Sequence, residues 1–248
     1  MKYFLSINEN GKSIVLDDTF KNLELLTEIP LKNCTFKKSS VSDKHGYYEL
    51  PSKNENVLLT GIGISELNGV EPFAIDTTYG EIHIYDKHSG ISNHGIYPVR
   101  RTDIESKAKI YTFGWGGNEP TKHMAGFEIY NELGKVIYSS DKKYLNVLKC
   151  GSDETAQVNY TKNSVFFTLG TDFASTMLLN HKLGVQGEEF EQFPKLKISK
   201  ESVEVSRFRA TAIHWVEETS EHIEWRFDGH YCYNYGWLIG NIGERSNL

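Results

Sequence analysis

Residues 7–16 read INENGKSIVL, and residues 129–138 read IYNELGKVIY. Both stretches place Asn-Glu-x-Gly-Lys between two apolar runs. Asn favours the start of a turn because its side chain binds the local backbone, and Gly supplies the left-handed conformation that a bulged turn needs. Each stretch therefore predicts a β-hairpin with a type I turn and a G1 bulge.

The similarity continues downstream, where Asn22–Leu26 is echoed by Tyr144–Leu148. Asn131 follows Asn8 by 123 positions, almost half of the 248 residues. The repeat predicts two similar halves: an N-terminal β-module over residues 1–115 and a C-terminal β-module over 121–248. They are divided near residues 114–122 by the Gly-rich loop FGWGGNEP. Two alternatives stay open: one larger β-domain that contains both hairpins, or two unrelated hairpins.

Short runs of alternating apolar and polar residues recur along the whole chain, bounded by Asn, Asp and Gly. This period of two is typical of half-buried antiparallel strands. The predicted fold class is all-β, with antiparallel β-sandwich modules and at most one or two short helices. The predicted strands are Ser13–Leu16, Val57–Thr60, Glu81–Tyr85, Ile110–Phe113, Phe127–Tyr130, Lys135–Tyr138, Ser164–Leu169, Ser202–Arg207, Ala212–Val216 and Ile223–Phe227.

One segment has a helical pattern instead. Asp172 could cap a helix, Phe173 and Met177 are four residues apart, and Gly184 could end it, so a short helix is predicted over 172–184. The stretches 37–44 and 187–200 are polar and are predicted to be surface loops.

The charge balance is 27 Lys plus Arg against 33 Asp plus Glu, with a net charge of -6. Without clustered positive charge, nucleic acid is not expected as a partner. The apolar run at the N-terminus is too short for an export signal, and no apolar stretch is long enough to insert into a membrane. Cys34, Cys150 and Cys232 are widely spaced, which predicts buried or half-buried free thiols.

The C-terminal hairpin is the best candidate contact site. Asp228-Gly229 sets its turn, and one face then carries Tyr rings beside an acid, a base and an imidazole. Such a face suits a protein interface or a sugar-stacking platform, and an ordinary solvent face is the alternative. The predicted face, with its continuation, consists of His222, Glu224, Arg226, Tyr231, Tyr233, Tyr235 and Trp237.

No cofactor, metal site or catalytic residue is predicted. His83, His88 and His94 have spacings that fit no compact metal site, and residues 86–90 are better interpreted as a turn. His230 and Cys232 lie on the apolar face of the C-terminal hairpin and are expected to pack there. His222 and Glu224 share a strand face, but no nucleophile accompanies them.

The pattern of an apolar strand, N-x-x-G-K, a second strand and an apolar third strand, seen over Leu5–Leu26 and Phe127–Leu148, resembles a hairpin element of tail, minor tail and tail-tip proteins of tailed bacteriophages. The resemblance implies a non-enzymatic virion component, made in the host cytoplasm and located in the tail. It implies contacts with other virion proteins and a homo-oligomer, such as a trimer or larger ring. The alternative is a module that binds a host-surface glycan or receptor through the C-terminal Tyr/Trp face. A polysaccharide hydrolase, with paired carboxylates about 5–10 Å apart, is the third hypothesis.

Overall fold

The computed structural model describes residues 4–9, 12–17, 23–40, 42–51, 55–92, 95–116, 128–130, 133–134, 136–152, 155–170, 172–180, 184–216 and 236–243. All strand pairs in this part of the chain are antiparallel. The chain is a mostly-β antiparallel sandwich, which confirms the fold class predicted from the alternation.

The strands are β1 (Phe4–Glu9), β2 (Lys12–Asp17), β3 (Glu24–Pro30), β4 (Thr35–Lys38), β5 (Gly46–Glu49), β6 (Val57–Gly63), β7 (Phe73–Asp76), β8 (Glu81–Tyr85), β9 (Gly90–Ser92), β10 (Gly95–Tyr97), β11 (Lys109–Gly114), β12 (Glu128–Tyr130), β13 (Val136–Ser139), β14 (Leu145–Gly151), β15 (Ala156–Asn159), β16 (Ser164–Gly170), β17 (Asp172–Asn180), β18 (Gly184–Ile198), β19 (Ser202–Val216) and β20 (Gly236–Ile242). One short α-helix, α1 (Thr102–Glu105), accompanies them in the described residues. Three 3-10 turns complete the elements: Leu31–Asn33, Ser65–Leu67 and Thr78–Gly80.

Two large sheets form the sandwich. The first has the strand order β14-β20-β16-β6-β11-β3. The second has the order β15-β19-β18-β7-β8-β5-β4, and β17 pairs with β18 outside this path. Three two-stranded ribbons, β1–β2, β9–β10 and β12–β13, stand apart from these ladders.

Each half of the chain contributes three strands to the first sheet in the same order. Counted from the edge inwards, the first half supplies β3, β11 and β6, and the second half supplies β14, β20 and β16. In both halves the order is therefore the first, the third and then the second of these strands along the chain. The halves meet where β6 pairs with β16 and, in the second sheet, where β7 pairs with β18. The two halves therefore share both large sheets, and the division into two modules near residues 114–122 stays a prediction.

The two repeated hairpins differ in register. β1 and β2 pair without a shift, with Glu9 opposite Lys12. β12 and β13 shift register between Ile129 and Tyr130, and Gly134 has a φ of 72°. The second hairpin thus has the left-handed Gly and the bulge that its sequence predicts, whereas the residues between Glu9 and Lys12 lie outside the described ranges.

The first sheet closes on itself where its two edge strands meet. Glu24 and Tyr144 form an antiparallel bridge, in which Leu25 N donates to Lys143 O at 2.8 Å and Leu145 N donates to Leu23 O at 2.9 Å. A salt bridge of 2.9 Å between Lys142 and Glu24 reinforces this contact. Leu23 and Leu145, which correspond in the sequence repeat, lie opposite each other at the closure.

The closed sheet has apolar residues on both faces. Phe166 joins the large cluster between the two sheets, while its neighbours Val165 and Phe167 point the other way, into the closed sheet, and are fully buried. Thr168 Oγ1 bonds across the layers to the carbonyl of Ile75 at 3.0 Å. Gly61 leaves space for the Phe167 ring in this interior, because a Cβ at residue 61 would lie 2.6 Å from the ring.

Three local predictions were wrong. Residues 172–180 form β17 rather than a helix, because each of them pairs with a residue of β18 and sheet pairing outweighs a weak helical pattern. The predicted loop 187–200 is largely strand β18, and the predicted loop 37–44 begins within β4. The other predicted strands coincide with observed ones, apart from Ile223–Phe227, which lies outside the described residues.

Gly61→Ala is expected to lower the free energy of unfolding by about 1–3 kcal/mol, because the added methyl group overlaps the Phe167 ring. Phe167→Leu alone should also destabilise, by leaving a cavity. The double variant should lose less than the sum of the two, since the smaller side chain makes space for the methyl group. Urea unfolding of all four proteins measures this coupling, and strict additivity would contradict the packing described.

Candidate functional site

A cleft of about 730 Å³ opens at the β4 end of the second sheet, where three segments meet. They are the turn between β4 and β5, the turn after β8, and the segment that leads from β10 into α1. Its volume falls within the range of about 300–1,000 Å³ that small-molecule sites occupy. Most of the lining residues are polar or charged, although the exposed lining surface is largely carbon: Asp43, Lys44, His45, Asp86, His88, Val99, Arg100, Arg101 and Thr102.

Arg101 is the central ion-pairing residue of the cleft wall. Its Nη1 donates to Asp86 Oδ2 at 2.9 Å, and its Nε and Nη2 donate to the two carboxylate oxygens of Asp103 at 2.8 and 2.7 Å. The Arg101 side chain is 12% exposed and that of Asp86 is 7% exposed. The hydrogen bonds from Arg101 lower the pKa of Asp103. Arg101 is therefore fixed in place between two carboxylates.

Asp86 also organises the turn that follows β8. Its Oδ1 accepts a hydrogen bond from the backbone N–H of His88 at 2.7 Å, and its own N–H donates to Ser89 Oγ at 2.9 Å. This confirms the turn predicted over residues 86–90. One carboxylate thus ties the turn to the Arg101 guanidinium.

Arg100 forms a second, separate ion pair. Its Nε and Nη2 each donate to a carboxylate oxygen of Glu105 at 2.9 Å, and its guanidinium lies 5.2 Å from the centre of the Phe36 ring. Tyr48 Oη also donates to Glu105, at 3.3 Å. The hydrogen bonds from Arg100 lower the pKa of Glu105, and burial raises the pKa of Tyr48. α1 is thereby fastened to β5 and to the cleft.

His45 connects the first turn to the second. Its Nε2 lies 3.2 Å from the backbone oxygen of His88, which can only accept, so Nε2 carries a proton. Its Nδ1 accepts from Ser42 Oγ at 2.9 Å, and the same oxygen accepts from Lys44 N at 3.2 Å. A Cβ at Gly90 would lie 3.1 Å from His45 Nε2, so the absence of a side chain there lets the turns approach.

The cleft presents polar groups beside fixed ion pairs. Hydrogen bonds from Arg101 and Arg100 lower the pKa values of Asp103 and Glu105, which adjoin the cleft. The Lys44 ammonium and the His88 ring have no partner among the described residues and are exposed. A bound molecule would meet these groups and the outer edges of the fixed ion pairs.

A second polar cluster lies on the outer face of the second sheet. His83 points away from its buried isoleucine neighbours, with its Nε2 2.9 Å from Glu81 Oε2 and its Nδ1 3.3 Å from Tyr85 Oη. The Tyr47 ring stacks on His83 with a centroid distance of 5.1 Å. Because the two rings stack on each other, the faces that meet are not open to a sugar ring.

The contact face predicted for the C-terminal hairpin falls mostly outside the described residues, which leaves six of its members as a prediction: His222, Glu224, Arg226, Tyr231, Tyr233 and Tyr235. The seventh, Trp237, lies in β20 and is 1% exposed. Its ring stacks with Phe166 at 6.5 Å and covers Gly151, where a Cβ would lie 2.5 Å from the ring. Trp237 is a core residue and does not belong to an exposed face.

The histidines gather no metal ligands within the described ranges, where no group of three or more His, Cys, Asp or Glu side chains is placed to hold an ion. His83 binds Glu81, and His88 lies at the cleft. His94, His230 and Cys232 lie outside the described residues.

The two described cysteines are free thiols in different surroundings. Cys34 is buried in the main core, and burial raises its pKa to about 11. Cys150 is exposed, contrary to the expectation of a buried or half-buried thiol, because it lies on the edge strand β14.

No family model, curated protein or solved structure matches this chain. Within the described ranges, none of the helices is long and apolar enough to span a membrane. The fold and the cleft therefore define the class of the molecule: an antiparallel β-sandwich with a closed six-stranded sheet and a polar cleft at the end of its second sheet.

Sequence reasoning found the turn at residues 86–90 but missed the cleft. A signal was present in residues 100–105, RRTDIE, where two arginines precede two acids within one helical turn. That signal indicates ion pairs, yet it does not reveal that residues 42–45 approach the same place. The cleft depends on the pairing of β5 with β8, which brings the turns together.

Asp86→Ala is expected to lower the free energy of unfolding by about 2–4 kcal/mol, because it leaves a buried guanidinium short of a partner and releases the turn after β8. Asp103→Ala is the matched control: it has the same partner but a half-exposed side chain, and its loss should cost about 1 kcal/mol or less. Equal losses in urea unfolding would contradict the distinct role of Asp86.

Proposed function

We propose that this protein is a structural component of a bacteriophage virion, in the tail or tail tip, and that it works through protein–protein assembly contacts. Its partners would be other virion proteins and further molecules of the same chain. The resemblance of the repeated hairpin to phage tail proteins supports this proposal, together with the distribution of exposed apolar side chains.

The distribution of exposed apolar residues is the observation that carries the proposal. Seven large apolar side chains are exposed within the described residues, and four of them fall within the second repeat: Tyr130 (46%), Leu133 (80%), Val147 (57%) and Leu148 (41%). Single exposed apolar residues are ordinary, but a concentration in one segment is typical of an interaction surface. The second repeat is therefore the region through which we expect assembly.

The charges of the cleft favour this proposal over a polysaccharide hydrolase. A glycosidase needs one carboxyl group with a raised pKa beside a second carboxylate. The described carboxylates with a shifted pKa, Asp103 and Glu105, are both lowered by a bound arginine. We therefore assign neither of them a catalytic role.

A second candidate function is the binding of a host-surface glycan, and the cleft is the observation that favours it. Fixed arginine and aspartate side chains with exposed Lys44 and His88 offer both donors and acceptors, which is what sugar hydroxyl groups require. This site would replace the C-terminal Tyr/Trp face as the place to test first. Both functions can coexist in a protein that assembles and also contacts the host.

Light scattering of the purified protein over about 1–100 μM tests the assembly proposal, since self-association depends on protomer concentration. The expected result is a mass that rises to a defined multiple of 28.3 kDa. A mass of one chain at every concentration, together with no binding to neighbouring virion proteins, would contradict it.

A glycan array with host polysaccharides tests the second candidate. If the cleft binds a glycan, Lys44→Glu combined with His88→Ala should weaken binding by about tenfold or more, because both side chains face the cleft. Lys200→Glu, a charge change on the exposed turn between β18 and β19, is the control and should bind normally. Equal binding by the cleft variant would exclude the cleft as the glycan site.

A further inference from the structure

Strand β14 has one open side over most of its length. On one side it pairs with β20 from Leu145 to Gly151. On the other side β3 holds only its beginning, through the bond from Leu145 N to Leu23 O. Residues 146–151 have no hydrogen bond on that side within the described part of the chain, so their backbone groups can accept another strand.

The side chains of this open strand are exposed and mostly uncharged. Val147 is 57% exposed and Leu148 41%, and Lys149 and Cys150 are exposed as well. The register with β20 passes from Val147 directly to Lys149, which leaves Leu148 in a bulge. A paired strand would cover apolar groups that β20 alone leaves in water.

The two edge strands of the second sheet, β4 and β15, have features that prevent such pairing. β4, at the end of the second sheet, carries Lys37 and Lys38, which form ion pairs with Glu49 and Asp43. The edge strand β15 is only four residues long and carries polar Gln157 and Asn159. β14 has seven residues and one charged side chain, so it is the least protected of these three edges.

The sequence around β14 is complementary to itself in the antiparallel direction. Lys143 precedes the strand, and Asp153 and Glu154 follow it. An antiparallel copy therefore brings the basic flank of one molecule towards the acidic flank of the other. A parallel copy in register would instead place Lys149 opposite Lys149.

The closure of the first sheet provides an internal precedent. There, the segment of the first repeat that corresponds to the start of β14 already docks antiparallel against that start, with Leu23 opposite Leu145. A strand from another molecule can make the same kind of contact along residues 146–151.

We propose that residues 146–151 of β14 pair antiparallel with residues 146–151 of a second molecule of this chain, joining two closed sheets across a twofold axis. Full overlap places Asn146 opposite Gly151, Val147 opposite Cys150 and Leu148 opposite Lys149, without like charges facing each other. This inference rests on the proposed assembly function and names its partner. The resulting dimer is the unit from which larger assemblies would form.

The first test is Val147→Glu, measured by light scattering or sedimentation. It should raise the dissociation constant of the dimer by about tenfold or more, because two buried carboxylates are introduced at the interface. Leu58→Glu is the matched control: Leu58 is similarly exposed, at 49%, but lies on β6, and its variant should associate normally. Unchanged unfolding curves show that both variants remain folded, since both positions are on the surface.

The second test fixes the register. Val147→Cys should give a disulfide-linked dimer under mild oxidation by oxidised glutathione, because the new thiol lies opposite Cys150 of the second molecule. Adding Cys150→Ser to the same variant should abolish the crosslink and serves as the control for other thiols. A crosslink that does not depend on Cys150, or none at all in a dimeric protein, would overturn the proposed pairing.

The outcomes separate the two proposals. If the wild-type protein is monomeric, the β14 contact fails, and the assembly function fails with it only if the protein also binds no neighbouring virion protein. If it is oligomeric and Val147→Glu has no more effect than Leu58→Glu, the β14 contact fails while the assembly function stands.

Discussion

The pairing of β6 with β16 is the contact on which the rest of the structure depends. It joins Val165, Phe166 and Phe167 of the second half to Gly61–Gly63 of the first, in the middle of the first sheet. Phe166 then packs between the sheets while Phe167 fills the closed interior above Gly61. Neither half holds a complete sheet or a complete core, so the apolar surface of each half is buried by the other.

Closure at the opposite edge follows from the same arrangement. Because the strand order is the same from both ends, the two outer strands β3 and β14 are the corresponding members of the two halves, and they meet at Glu24 and Tyr144. Within the described residues, the hydrogen bonds between these two strands are limited to this bridge. β14 therefore continues past the bridge with no partner on that side among those residues, which connects the fold to the proposed assembly.

The second sheet positions the cleft by a similar logic. β5 and β8 are neighbours, so the turn before β5 and the turn after β8 lie at the same end of the sheet. Arg101 and Arg100, which follow β10, then fasten these turns and α1 through Asp86 and Glu105. Asp86 and Glu105 each serve two contacts, which fasten the cleft wall to its surroundings.

Sequence reasoning predicted the local structure best where alternation was strong. Glu81–Tyr85 coincides with β8 because Ile82 and Ile84 face the core while His83 faces out. Sequence reasoning failed over residues 172–180, where the Phe173–Met177 spacing is helical but pairing with strand β18 determines the conformation. The cleft could not be predicted from sequence, because its first segment lies about forty residues before the other two and only strand register brings them together.

The repeat could be found in the sequence, but the arrangement of its two copies in the fold could not be predicted from it. A duplicated hairpin is compatible with two separate modules or with two halves of one sheet, and the β6–β16 and β7–β18 pairs join the two halves in both large sheets. The role of Trp237 also became clear only from its burial in the structure. A Trp that follows a row of Tyr residues suggests a contact face, but its ring fills the space that Gly151 leaves open.

Amide hydrogen exchange as a function of protein concentration tests the central claim most directly, because it reports on the backbone of β14 itself. The account predicts that exchange within residues 146–151 slows as the protein associates, while exchange in another edge strand, β15, does not change. Exchange in residues 146–151 that stays fast at concentrations where the protein is associated would contradict the claim that β14 is the assembly edge.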